Sequence, residues 1–200
     1  MRRLLKIGLR AGIVILLAVI VIWAVTWIEL NRTEEAQNAV LSAYLTDRIL
    51  HDGHDWGSGR DILVVIQRES QRPGIWRQLW PFRDKRMNFA ESSIATRVSF
   101  ALANGFRTNL NPALRLPRGV SYVIAGRKEL EDSQSGNFEA RFPNSRGYIA
   151  ISRVAFNLSK TEAIFYLDDF CGLCGGGGYV LMRKINGSWK VVDGHGTWIS

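Results

Sequence analysis

Residues Ala11 to Ile28 form an unbroken run of 18 uncharged, mostly apolar positions, and no other stretch of the 200-residue chain limits its fold so strongly. As a helix the run spans roughly 27 Å at about 1.5 Å per residue, close to the roughly 30 Å hydrocarbon core of a bilayer, and flanking side chains can snorkel over the shortfall. Arg2, Arg3, Lys6 and Arg10 precede it with no acidic residue among them, and Glu29 follows. The positive-inside rule therefore predicts a cytoplasmic basic lead at 1–10, a transmembrane helix at 11–28 and a translocated remainder, with Trp23 and Trp27 at the outer interface. Two alternatives are a cleaved signal peptide and a buried soluble helix. A signal peptide has a shorter apolar core, usually about 7–15 residues, that ends at a small-x-small site; no Ala-x-Ala follows Ile28. The expectation is an uncleaved single-pass anchor in a bacterial inner or cell membrane, with a periplasmic or extracellular C-terminal domain over 31–200.

That remainder is long enough for one domain with its own core. The formal charge of the chain is +8, but the first ten residues hold 4 of its 26 basic side chains, so the rest carries 22 against 18 acidic. So modest an excess on an exported domain is no nucleic-acid signature. The expected partners are the lipid bilayer and, through basic side chains, anionic headgroups or envelope components. No cofactor is expected.

Along the chain, Thr33 can cap a helix running to about Leu50, in which Val40, Leu41, Tyr44, Leu45 and Ile49 recur at helical spacing, and Gly53 supplies a stop. Asp61 to Gln67 is a short β-branched run that reads as a buried strand. Asn88 and Glu91 resemble a capping box for a second helix, whose apolar stripe is Ile94, Val98, Ala101 and Leu102 and whose end is Asn104-Gly105. Val120–Ala125, Tyr148–Phe156, Ala163–Leu167, Tyr179–Ile185 and Trp189–Val192 are rich in β-branched and aromatic residues and read as strands. Asn186-Gly187 suits a type I′ hairpin, which needs positive φ at both central residues, and Asn157 to Lys160 makes a similar reversal. The fold class is therefore α+β: two helices covering one face of a mostly antiparallel sheet that ends in a four-strand meander.

Several local motifs, Phe142-Pro143-x-Ser145-x-Gly147, Ser152-Arg153-Val154-x-Phe156-Asn157, Cys171-Gly172-x-x-Gly175, Asn186-Gly187-x-Trp189-Lys190-Val191 and Trp198-Ile199-Ser200, are similar to those of an uncharacterised family of exported, membrane-anchored bacterial proteins. The resemblance covers roughly Phe142 to Ser200, with a weaker similarity over the first exported helix and Asp61–Gln67. It implies a bacterial, extracytoplasmic, β-rich domain and assigns no catalytic residue. The order of elements also resembles the helix-backed sheets of the NTF2-like and cystatin-like classes, an analogy of architecture alone.

The most unusual local sequence is Asp168-Asp169-Phe170-Cys171-Gly172-Leu173-Cys174, followed by four glycines. Thiol–disulfide catalysis needs a helix dipole directly after a C-x-x-C pair, and glycines stand there instead. Zinc needs four thiolate or imidazole ligands, so two distant partners would have to join the cysteines. A small disulfide, Cys171 to Cys174, closing a glycine-rich loop contributes about 2 kcal/mol by the chain-entropy relation and is the reading preferred here. If Asp193 and His195 approach Cys171, the three would form a nucleophile-activating set. His51-Asp52-Gly53-His54-Asp55 offers metal-type ligands, but its spacing matches no recognised site and a solvated turn explains it. In the tract Arg68 to Arg86, Arg72, Arg77, Arg83, Lys85 and Arg86 interleave with Trp76, Trp80 and Phe82. Such a tract suits either a loop with buried aromatics or a segment resting on anionic headgroups, where each basic residue contributes about 1 kcal/mol.

These observations favour an anchored domain with a non-catalytic binding, accessory or envelope role. The competing reading is an extracytoplasmic enzyme that uses the Cys171–Cys174 loop, helped by Asp193 and His195, in thiol or hydrolytic chemistry. A third is a sheet-and-helix cone around a small apolar ligand, which calls for an enclosed pocket lined by the late strands.

Overall fold

The computed structural model describes residues 33–51, 61–71, 92–134, 138–171 and 175–199. The chain divides into two compact units, Met1–Ala36 and Gln37–Ser200, and the second holds the sheet. The predicted transmembrane helix at 11–28 lies outside the described residues, among which no helix is long and apolar enough to cross a membrane. The basic aromatic tract from Arg72 to Arg86 and the capping box at Asn88–Glu91 also lie outside them.

The elements are α1 (33–51), β1 (Ile62–Gln67), α2 (Ile94–Ala103), β2 (Val120–Ala125), α3 (Arg127–Gln134), α4 (Phe138–Arg141), β3 (Tyr148–Ile151), β4 (Ala155–Phe156), β5 (Glu162–Phe170), β6 (Gly176–Ile185) and β7 (Ser188–Ile199). They form a mixed seven-stranded sheet ordered β2-β1-β3-β5-β6-β7, with β4 also paired to β5. The α+β class and the mostly antiparallel sheet are as expected. β3, β5, β6 and β7 run antiparallel in that order, and Asn186 (φ 50) and Gly187 (φ 83) make the β6–β7 turn. β1, however, runs parallel to both β2 and β3. Parallel neighbours need crossover connections, which α2 and the α3–α4 pair supply.

The single strand expected over Tyr148–Phe156 is two. Ser152 interrupts it: its hydroxyl accepts from Tyr166 N at 2.8 Å, while its own N–H donates to Tyr166 O. Asn104, at the end of α2, holds the break open by accepting from Arg153 N at 2.8 Å and donating to Arg153 O at 3.1 Å. A side-chain oxygen thus replaces a ladder carbonyl, so no backbone donor is stranded.

The two long helices lie on opposite faces of the sheet, not on one. Alternate residues of β5 point to opposite faces. Tyr44 of α1 meets Phe165 edge-on at 5.1 Å, whereas Phe100 of α2 packs with Ile164, Tyr166, Tyr179 and Leu181. β5 is buried from Glu162 to Asp169, and a strand buried on both faces requires cover on both. α1 buries the expected Val40, Leu41, Leu45 and Ile49.

The stripe expected on α2 fails. Ile94, Val98 and Leu102 are 71, 53 and 76% exposed, and the helix buries Thr96 and Phe100 instead. Glu162 of β5 sets this rotation by accepting from Ser93 N at 2.7 Å and Thr96 Oγ1 at 2.6 Å, with Arg183 Nε at 3.1 Å on its other oxygen. Burial works to raise the Glu162 pKa, but the bonds from Thr96, Ser93 and Arg183 outweigh it and hold the carboxyl below its ordinary value. α3 and α4, unmarked by any apolar stripe, contribute Leu130 and Phe138 to a second cluster around Val65 and Ala125, joined by Phe142 directly after α4.

Candidate binding groove

α1 covers β5 but leaves the β6–β7 end of its face open, and an open groove of about 700 Å3 lies there. Its wall is the polar flank of α1, with Tyr44, Asp47, Arg48 and His51 at the spacing i, i+3, i+4, i+7. Its floor includes Gly176, Gly178, Gly194 and Gly196 of β6 and β7, and Val191, Ile199 and Arg146 stand at its margins.

The charges along the wall are matched. Arg48 Nη2 meets Asp169 Oδ2 at 2.6 Å, and Arg48 Nη1 donates to the Tyr44 hydroxyl at 3.4 Å. His51 Nδ1 lies 2.8 Å from the Asp47 carbonyl oxygen and 3.4 Å from Asp47 Oδ1. Asp169 is 7% exposed, so the guanidinium stabilises a carboxylate that burial would otherwise penalise.

On the opposite face, the neighbouring residues build a latch. Asp168 of β5, Gly177 of β6 and Trp198 of β7 stand in register. Trp198 Nε1 and the Tyr166 hydroxyl both donate to Asp168 Oδ1, at 2.7 and 2.8 Å, across the space a side chain at position 177 would fill. Thr197 Oγ1 extends the network by donating to Gly177 O at 3.0 Å. Burial pushes the Asp168 carboxyl above its ordinary value against the pull of the Trp198 and Tyr166 bonds, and burial likewise raises the Tyr166 phenol.

The cysteine-centred set is not assembled. Cys171 follows the end of β5, with Arg146 Nη2 at 3.6 Å from its sulfur. His195 stands opposite Tyr179, three residues or roughly 10 Å along β6 from its start at Gly176. Asp193 stands opposite Leu181, farther on, and accepts from Gly194 N at 2.8 Å. Cys174 lies outside the described residues, as do Asp52, His54 and Asp55; His51 belongs to the groove wall. Among the described residues no group of three or more His, Cys, Asp or Glu could hold a metal ion.

The late strands do line the groove, as the third reading asked. Yet it is open, and its helical wall is polar, so it does not enclose an apolar ligand. Sequence reasoning missed Tyr44, Asp47, Arg48, Asp169, Gly194 and Gly196. The available signal was the i, i+3, i+4, i+7 polar set on the first helix, together with glycines at period two in two late strands. Comparison with protein-family models, curated proteins and solved structures finds no match to this chain.

Proposed function

We propose that this chain is a single-pass bacterial membrane protein whose extracytoplasmic α+β domain binds an envelope component without catalysing a reaction. The observation that supports binding is the groove of about 700 Å3, a size within the roughly 300–1,000 Å3 of small-ligand sites. The apolar run at 11–28 and its basic lead support the anchor. No described cysteine is free, which supports a Cys171–Cys174 bridge as a structural clasp on the loop before β6. The tract bearing Arg72, Trp76, Arg77, Trp80, Arg83, Lys85 and Arg86 suits anionic headgroups beside the anchor.

Two measurements test the proposal. Alkaline phosphatase fused behind Ser200 should be active, and carbonate extraction should leave the full-length chain in the membrane pellet. A reporter active only in the cytosol overturns the topology. The purified full chain should also co-sediment with isolated envelope fragments, and Val191→Trp, which fills the groove margin, should abolish this. Equal sedimentation of the variant overturns the groove as the binding place.

A further inference from the structure

α2 buries Thr96 and Phe100 against the sheet and leaves Ile94, Val98 and Leu102 in the open. Each step of four residues advances about 40° around a helix, so these three make one narrow stripe on the side away from Thr96 and Phe100. Phe106, shortly past the helix end, adds an aromatic ring at 82% exposure. Ile185, 48% exposed, lies two positions along β6 from Arg183 on the same face of the sheet, and Arg183 reaches Glu162, which caps the start of α2 through Ser93 N. Single exposed apolar side chains are ordinary, but neighbouring ones in a row mark a contact surface.

Charge indicates what meets this surface. Arg97 flanks the stripe beside Val98, Arg107 adjoins Phe106, and Lys190 stands exposed opposite Arg183. From Ser92 to Lys128 the sequence holds no acidic residue. The carboxylate at the helix start, Glu162, is 6% exposed and already accepts from Ser93, Thr96 and Arg183.

We propose that the outward face of α2 rests on an anionic bilayer surface, with Ile94, Val98, Leu102 and Phe106 at the acyl boundary and Arg97 and Arg107 among the headgroups. The inference rests on the anchor at 11–28 and not on the groove. An apolar stripe with basic residues beside it is what holds a helix flat in the interface, and anionic headgroups attract those residues. The anchor keeps the bilayer at high effective concentration, so a small contact suffices. A second copy of the chain fits less well. A two-fold contact through this stripe would set Arg97 and Arg107 near like charges, and so short a helix face falls far below the roughly 20–30 residues a side of a stable dimer.

The test is photo-crosslinking of the full chain reconstituted in vesicles, with p-benzoylphenylalanine in place of Leu102 or Phe106. Flotation first reads anchoring, and mass spectrometry then reads the adduct. In vesicles of equal parts phosphatidylglycerol and phosphatidylcholine, both positions should give lipid adducts, about tenfold more than in phosphatidylcholine alone. The same probe at Ile199, 90% exposed at the groove margin, should give only background. Arg107→Glu should cut the Leu102 adduct about fivefold without lowering Tm. A chain that floats yet gives no lipid adduct at either position, equal yields with both lipids, labelling no stronger than at Ile199, or an adduct to a second copy overturns the inference and leaves the anchor standing. A chain that does not float overturns both.

Discussion

Gly177→Ala offers the sharpest test of the latch beneath the glycine run. The added methyl would enter the space crossed by the Trp198–Asp168 and Tyr166–Asp168 bonds, which measure 2.7 and 2.8 Å. Asp168 is 8% exposed, so parting it from Trp198 forfeits a charge-assisted bond worth about 1.5–3 kcal/mol. Overpacking in a filled site adds about 1–3 kcal/mol. Against this, replacing a strand glycine by alanine returns roughly 0.5–1 kcal/mol. The expected net loss is about 3–4 kcal/mol, or roughly 10 °C in Tm at about 2–4 °C per kcal/mol for a domain of this size. Gly196→Ala is the control, since its methyl meets nothing within 4 Å and should leave Tm level or raise it slightly. Thermal unfolding of the full chain in detergent, followed by near-ultraviolet circular dichroism, reads both. If Gly177→Ala melts no lower than Gly196→Ala, the latch contributes nothing and the account of Gly177 is wrong.

The two buried carboxyls should respond to acid in opposite senses. The Glu162 pKa is lowered, so its stabilisation is full above the unfolded value of about 4.3 and is lost as pH falls through the folded value. The Asp168 pKa is raised, so stability gains as pH falls through its folded value, and the gain is complete below the unfolded value of about 3.9. Tm profiles between pH 7 and 3 should therefore flatten on the acid side in Glu162→Gln and steepen in Asp168→Asn; identical profiles would contradict both assignments. Replacing Cys171 and Cys174 by serine should lower stability by about 2 kcal/mol and leave envelope sedimentation intact, whereas unchanged Tm with lost function would favour thiol chemistry.

Legibility in the sequence followed the range of the interactions. The stripe of Val40, Leu41, Leu45 and Ile49 and the Asn186-Gly187 hairpin depend on neighbours a few residues away, and both are present. The α2 stripe of Ile94, Val98 and Leu102 had equally good periodicity and faces outward, because Glu162, 66 positions from Thr96, holds the helix start and turns Phe100 inward. The division of Tyr148–Phe156 depends on Ser152 and Asn104, two polar residues whose partners lie on other elements. For the candidate site, Cys171, Asp193 and His195 drew attention by residue type, but strand register sets them apart. Arg48 and Asp169 read as ordinary charged residues until the fold brought them within 2.6 Å.

By itself, then, the amino-acid order determined the local turns, the apolar flank of the first helix and the α+β class, because those follow from backbone preference and periodic burial within short windows. Only the tertiary structure decided which face each helix covers, which glycines are compelled and where a groove opens. Those outcomes depend on the pleat and register of strands far apart in the chain, where a shift of one residue would exchange the two faces of the sheet.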